Sequence, residues 1–152
     1  MSDLIHFEDF APGQIYDLGS LTVSRDDIVA FAAEFDPQPF HLDDEAGKAS
    51  ILGGLAASGW HTASLVMRLL ASNLLNKTAG RGSPGISDLK WKRPVLPGDT
   101  LTARAEVMET KALRSKPDLG IVTVEVTAKN QEGATVLTWL NPILFARREA
   151  GA

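Results

Sequence analysis

The sequence predicts an α+β domain in which an antiparallel β-sheet wraps around one long central helix. Three observations carry this. A helix-length run at residues 58–76 is apolar around most of its circumference, four strand-like segments follow it, and a further strand and a short amphipathic helix precede it. The 152 residues suit one domain with its core at about residues 14–147, and no repeat or low-complexity linker divides them.

Residues 14–23, with Ile15, Tyr16, Leu18, Leu21 and Val23, read as a first strand after the Pro12-Gly13 turn. Ser24 then offers a capping hydroxyl, and Asp26 and Asp27 place acid in the first turn of a helix. Ile28, Phe31, Ala32 and Phe35 share one face of it, and Pro37 ends it by pushing the preceding residue out of the helical region. Residues 36–54 are expected to be irregular, with one helical turn at Asp43-Asp44-Glu45-Ala46, because glycines and prolines break any longer period. The central helix starts at Ser58 or Trp60 and runs to Asn76. Trp60, Ala63, Leu65, Val66, Met67, Leu69, Leu70, Leu74 and Leu75 surround its axis, so it should be buried on nearly all sides.

Four strands follow. Leu89, Trp91 and Val95 alternate with Lys90 and Lys92 before a Pro97-Gly98-Asp99 turn, and Leu101, Ala103, Ala105 and Val107 alternate with Thr102, Arg104 and Glu106. Residues 121–129 are rich in β-branched side chains, Asn130-Gln131-Glu132-Gly133 turns the chain, and residues 134–147 form the last strand. Pro142 lacks a ladder donor, which predicts an edge or a bulge there.

Composition narrows the function classes. The absence of cysteine excludes a disulfide scaffold, a thiolate metal site and a cysteine nucleophile, and fits a reducing compartment. A net charge of −4 argues against general electrostatic binding of nucleic acid. The first residues, Met1 to His6, lack the layout of a signal peptide, so a cytoplasmic protein is expected. Residues 49–67 carry no formal charge, but Gly53, Gly54, Gly59, Ser58, His61 and Thr62 make them too polar for a membrane span.

The chemistry-bearing candidates lie in Asp36-Pro37-Gln38-Pro39-Phe40-His41. Two prolines fix φ on either side of Gln38, so a carboxylate and an imidazole are presented on a stiff loop, as general acid–base work requires. From the residues alone two readings stand: an acid–base pair, or a loop histidine hydrogen-bonded to the local backbone. His6 reads as a solvated arm residue. His41 with Asp43 and Asp44 suggests a metal site only superficially, since acids placed this way mark an exposed helix start; no metal is expected. Trp60, Trp91 and Trp139 read as core residues rather than ligand platforms.

Residues 35–43, then Ala57-Ser58-Gly59-Trp60, then Lys90-Trp91-Lys92-Arg93-Pro94-Val95-Leu96-Pro97-Gly98-Asp99, resemble the MaoC-like dehydratases, the (R)-specific enoyl-CoA hydratases of the hotdog fold. The family's Asp-x-Asn-Pro-apolar-His pattern is matched at Asp36, Pro39, Phe40 and His41, with Gln38 in place of asparagine. Its His-Gly pair is Ser58-Gly59 here, and a helix position that is serine in some hydratases is Met67.

The resemblance implies a single hotdog and a hydro-lyase that converts a trans-2-enoyl thioester to the (3R)-3-hydroxyacyl thioester. Asp36 would activate the water and His41 would share the proton transfers. Gly59 would donate its N–H to the thioester oxygen, with Ser58, Gln38, Phe40, Trp60 and His61 around the substrate. His61 has no assignable counterpart in the family and reads equally as a partly buried wall residue. Lys90, Lys92 and Arg93 are either a solvated strand face or a site for coenzyme A phosphates. No metal or redox cofactor is implied, coenzyme A being part of the substrate. A homodimer is the expected minimal unit, because a single sheet leaves edge strands unpaired. The rival functions on this fold are thioester hydrolysis and non-catalytic binding of an acyl thioester.

Overall fold

The computed structural model describes residues 3–148. In chain order the elements are β1 (Ile15–Thr22), α1 (Arg25–Phe35), α2 (Pro39–Leu42), α3 (Asp44–Ala49), α4 (Gly59–Asn73), β2 (Ser87–Trp91), β3 (Thr100–Ala112), β4 (Leu119–Lys129) and β5 (Thr135–Ala146). The strands form one antiparallel sheet in the order β1-β3-β4-β5-β2, so β1 and β2 are its edges.

Strand alternation builds the core. Leu101, Ala103, Ala105 and Val107 of β3 and Val122, Val124, Val126 and Ala128 of β4 are buried on one face, together with Leu137, Trp139, Ile143 and Phe145 of β5. Leu65, Val66, Leu69 and Leu70 of α4 pack into the same cluster. Register shifts at Asp17/Gly19 in β1 and Val107/Glu109 in β3 are bulges that increase local twist and help the sheet curl around the helix. Gly19, with φ of 85°, supplies the left-handed backbone that the first bulge requires.

Four expectations need correction. Residues 36–54 are more helical than expected: Pro39 at the first helical position starts α2, and Asp43, accepting from the Ala46 N–H at 3.0 Å, caps α3. Helix α4 is not buried on nearly all sides, since Trp60, Ser64, Met67 and Arg68 form an exposed stripe facing away from the sheet. β2 ends at Trp91, not Val95, because Arg93-Pro94 leave the ladder; Val95 instead turns inward and its carbonyl accepts from the Ala57 N–H at 2.8 Å. Finally, Pro142 lies in an interior strand with no bulge at its pairing to Thr123. Its donorless nitrogen is tolerated because pairing with β2 has stopped beyond Leu140. On that flank the Ser83 hydroxyl donates to the Pro142 carbonyl.

Among the described residues no helix is long and apolar enough to cross a membrane.

Candidate active site

Asp36 is the C-cap of α1, and the two prolines after it redirect the chain. The Gln38 N–H donates to the Asp36 carbonyl at 2.7 Å, and Pro39 then opens the one-turn helix that carries His41. This brings the Asp36 carboxylate to the His41 ring, with Oδ2 3.5 Å from Nε2. The His41 side chain is buried, and that of Asp36 is 19% exposed.

His41 has a fixed orientation. Its Nδ1 lies 2.6 Å from the Ala56 carbonyl oxygen, which can only accept, so Nδ1 carries the proton. In the neutral ring Nε2 is then a lone-pair acceptor facing a carboxylate. One ring nitrogen is therefore bonded to backbone while the other is turned to the acid.

Asp36 is held ionised from several sides. The Ser58 hydroxyl is the largest influence lowering its pKa and partial burial opposes it; the Gln38 amide, which donates to Oδ1 at 2.6 Å, lowers it further, as does the His41 ring when cationic. Ser58 is fully buried at the start of α4, where its oxygen also accepts from the Trp60 N–H at 3.3 Å. Gln38 and Ser58, both departures from the family pattern, thus converge on the carboxylate.

A group whose pKa is lowered on folding contributes stability above its ordinary pKa and loses it as pH falls through the lowered value. Ser58→Ala should therefore raise the Asp36 pKa toward the usual carboxylate range, read by carboxyl-carbon NMR titration. An unmoved titration would remove the hydroxyl from this role.

A cavity of about 260 Å³ opens beside His41, lined also by Phe40, Gly59, Thr62, Lys92, Arg93 and Val95. Asp36, Gln38 and Ser58 are not on its wall and reach it through His41. As the first residue of α4, Gly59 has an N–H without an intrahelical partner. The Trp91 indole lies directly on Gly59: a Cβ there would sit 2.5 Å from the ring. Trp91 in turn meets Trp60 edge-on at 5.1 Å.

Three sequence expectations separate from this site. Trp60 and Trp91 are 57% and 45% exposed, so only Trp139 is a core residue. Lys90 lies away from the cavity, opposite Thr138 on the outer face of the sheet. His61 is buried but stacks on Phe31 at 4.8 Å and lines a different cavity with Asp27, Glu34 and Arg68. Burial pushes its pKa down, and its Nδ1 has no hydrogen-bond partner among the described residues. Asp43 and Asp44, considered as metal ligands, instead cap α3 and pair with Arg25 at 2.8 Å.

Three features of the site were not foreseen. The Ala56 carbonyl is backbone and leaves no residue signal. The Ser58 contact joins elements distant in sequence, and the Trp91 lid on Gly59 depends on the position of β2. The Gly-Trp pairing could have been suspected only once β2 was known to border the start of α4.

The chain is similar to several known proteins. The family profile of the MaoC like domain matches residues 9–130. The crystal structure of the MaoC-like dehydratase from Rhodospirillum rubrum superposes with a TM-score of 0.89 at 42% identity, covering 95% of this chain and 99% of that one. The unliganded R-hydratase PhaJ1 from Pseudomonas aeruginosa gives 0.75 at 26% identity, over 96% and 88%. Among curated relatives, the uncharacterized protein YdeM of Bacillus subtilis is 31% identical over 92% of this chain and 98% of its own length. The mesaconyl-CoA hydratase of Cereibacter sphaeroides is 34% identical over 45% of this chain but only 20% of its own length. At 20% identity and a TM-score of 0.82, a Mycobacterium tuberculosis protein with a double hotdog fold shares the fold. The fold is a hotdog, and the chain belongs to the MaoC-like domain family, whose members are generally hydratases and dehydratases.

Proposed function

We propose that the chain catalyses reversible hydration of a trans-2-enoyl-CoA to the (3R)-3-hydroxyacyl-CoA. The observation that carries this reading is the Asp36–His41 pair, two acceptors facing each other across 3.5 Å beside a cavity. A water held by both is oriented by two lone-pair partners and loses a proton as its oxygen attacks C3 of the enoyl thioester. The π-electrons of the double bond move toward the thioester carbonyl, where the Gly59 N–H at the start of α4 stabilises the developing enolate. A proton is then delivered to C2. The water has contributed hydroxyl to C3 and hydrogen to C2, and the pair returns to its starting protonation. Ser58 and Gln38 keep Asp36 ionised, so that it is available to accept the first proton.

The test is product identity over a panel of enoyl-CoA thioesters, with mesaconyl-CoA included because of the partial likeness to that hydratase. The reading requires a 3-hydroxyacyl-CoA of R configuration from at least one member. Free coenzyme A as the product would mean a thioesterase. Binding without turnover would mean a carrier or accessory protein.

The functional unit is proposed to be a homodimer. Trp60, Met67 and Trp91 are exposed on one side of the subunit, and β1 and β2 are open sheet edges. Sedimentation at micromolar concentration should give a dimer; a fully active monomer would contradict it.

A further inference from the structure

The outer face of the sheet carries a second concavity. Register aligns Arg104 of β3 with Thr127 of β4, Thr127 with Thr138 of β5, and Thr138 with Lys90 of β2. At about 4.8 Å per strand this row of cation, two hydroxyls and cation is about 14 Å across. Lys129, two residues beyond Thr127 and so on the same face, and Lys92, just past the end of β2, join it around a groove of about 530 Å³. Asp88 and Glu125 share the walls. Yet none of the four cations is engaged in an ion pair or a side-chain hydrogen bond among the described residues. Four cations against the two carboxylates leave this concavity net positive in a chain of net charge −4, and so favour a bound anion.

Lys92 lines both this groove and the cavity holding His41. We infer that the groove binds the nucleotide phosphates of coenzyme A, while the pantetheine arm passes Lys92 into the cavity. This rests on the thioester reading above and moves the phosphate site from Lys90, Lys92 and Arg93 to Lys90, Lys92, Arg104 and Lys129. Arg93 lines only the inner cavity. The groove is concave, and its two carboxylates would oppose a broad acidic protein surface more than a compact phosphate laid along the Arg104–Lys90 row.

The test uses the full chain with adenosine 3′,5′-bisphosphate as probe, read by calorimetry. Wild type should bind it, more tightly at low salt. The exposed-face double variant Arg104→Glu, Lys129→Glu should weaken binding about tenfold or more, and Arg104→Gln, Lys129→Gln should weaken it less in the same direction. In turnover assays the charge reversal should raise KM for an enoyl-CoA about tenfold while shifting KM for the matching enoyl-pantetheine thioester less than twofold. Bisphosphate binding unaffected by reversal, or equal KM rises for both thioesters, would overturn the proposal. Sensitivity confined to a thioester carried on an acidic carrier protein would also overturn it, in favour of a protein partner. If neither thioester is hydrated but the bisphosphate binds and loses affinity on reversal, the hydratase reading fails and the groove stands.

Discussion

Asp36→Asn and His41→Ala are each expected to lower kcat/KM for enoyl-CoA hydration by about 10²- to 10⁴-fold, the range for a positioned acid–base group. Asparagine keeps an oxygen for the Gln38 amide but cannot take a proton from water, so its loss should fall on kcat. His41→Ala removes the acceptor nitrogen and also leaves the buried Ala56 carbonyl without its donor, a cost of about 1–3 kcal/mol in stability. Turnover must therefore be compared at temperatures where the variant is folded. If the pair acts on one water, the double variant should be little slower than the slower single one. Near-wild-type turnover in either single variant would remove that residue from the mechanism.

Gly59→Ala and Gly59→Val should lower stability as well as activity. The Trp91 ring stands 2.5 Å from the site of any added Cβ, so a side chain there has no room unless the ring shifts. Overpacking of this kind costs about 1–3 kcal/mol, and relief requires the indole to move. Because Trp91 is partly exposed and also touches Trp60, the movement is feasible but would open the wall of the cavity. A double-mutant cycle isolates the contact: the loss caused by Gly59→Ala should largely vanish when Trp91 is already alanine. Equal losses in both backgrounds would mean that the ring does not constrain Gly59. Turnover normalised to folded protein then reports on the N–H separately, since stability lost through Trp91 does not by itself impair the donor.

Most of the architecture was legible because periodicity reports burial. The alternation in residues 101–107 and 121–129 marked the inner face of β3 and β4, and the capping hydroxyl of Ser24 marked the start of α1, where it accepts from the Asp27 N–H at 3.1 Å. What failed depended on tertiary neighbours. Pro142 signalled an edge, but the missing donor points to a flank that a loop, not a strand, occupies. The prolines at 37 and 39 were read as helix breakers, whereas Pro39 starts a turn of helix. Within the site, the Asp36–His41 pairing was legible from spacing and resemblance. The convergence of Ser58 and Gln38 on the same carboxylate was not, because their significance lies in where α4 begins relative to α1. His61 shows the converse: its proximity to Gly59 in sequence suggested the same cavity, but two residues along a helix turn a side chain by about 200°, onto Phe31.

Delivery of water to C3 of an enoyl thioester by the Asp36–His41 pair is tested by turnover in heavy-oxygen water with mass analysis of the products. Hydration places the heavy oxygen in the 3-hydroxyl group of a product that remains a thioester, at a rate that Asp36→Asn lowers by about 10²- to 10⁴-fold. Heavy oxygen appearing instead in a released carboxylate, with free coenzyme A formed in equal amount, would contradict the account.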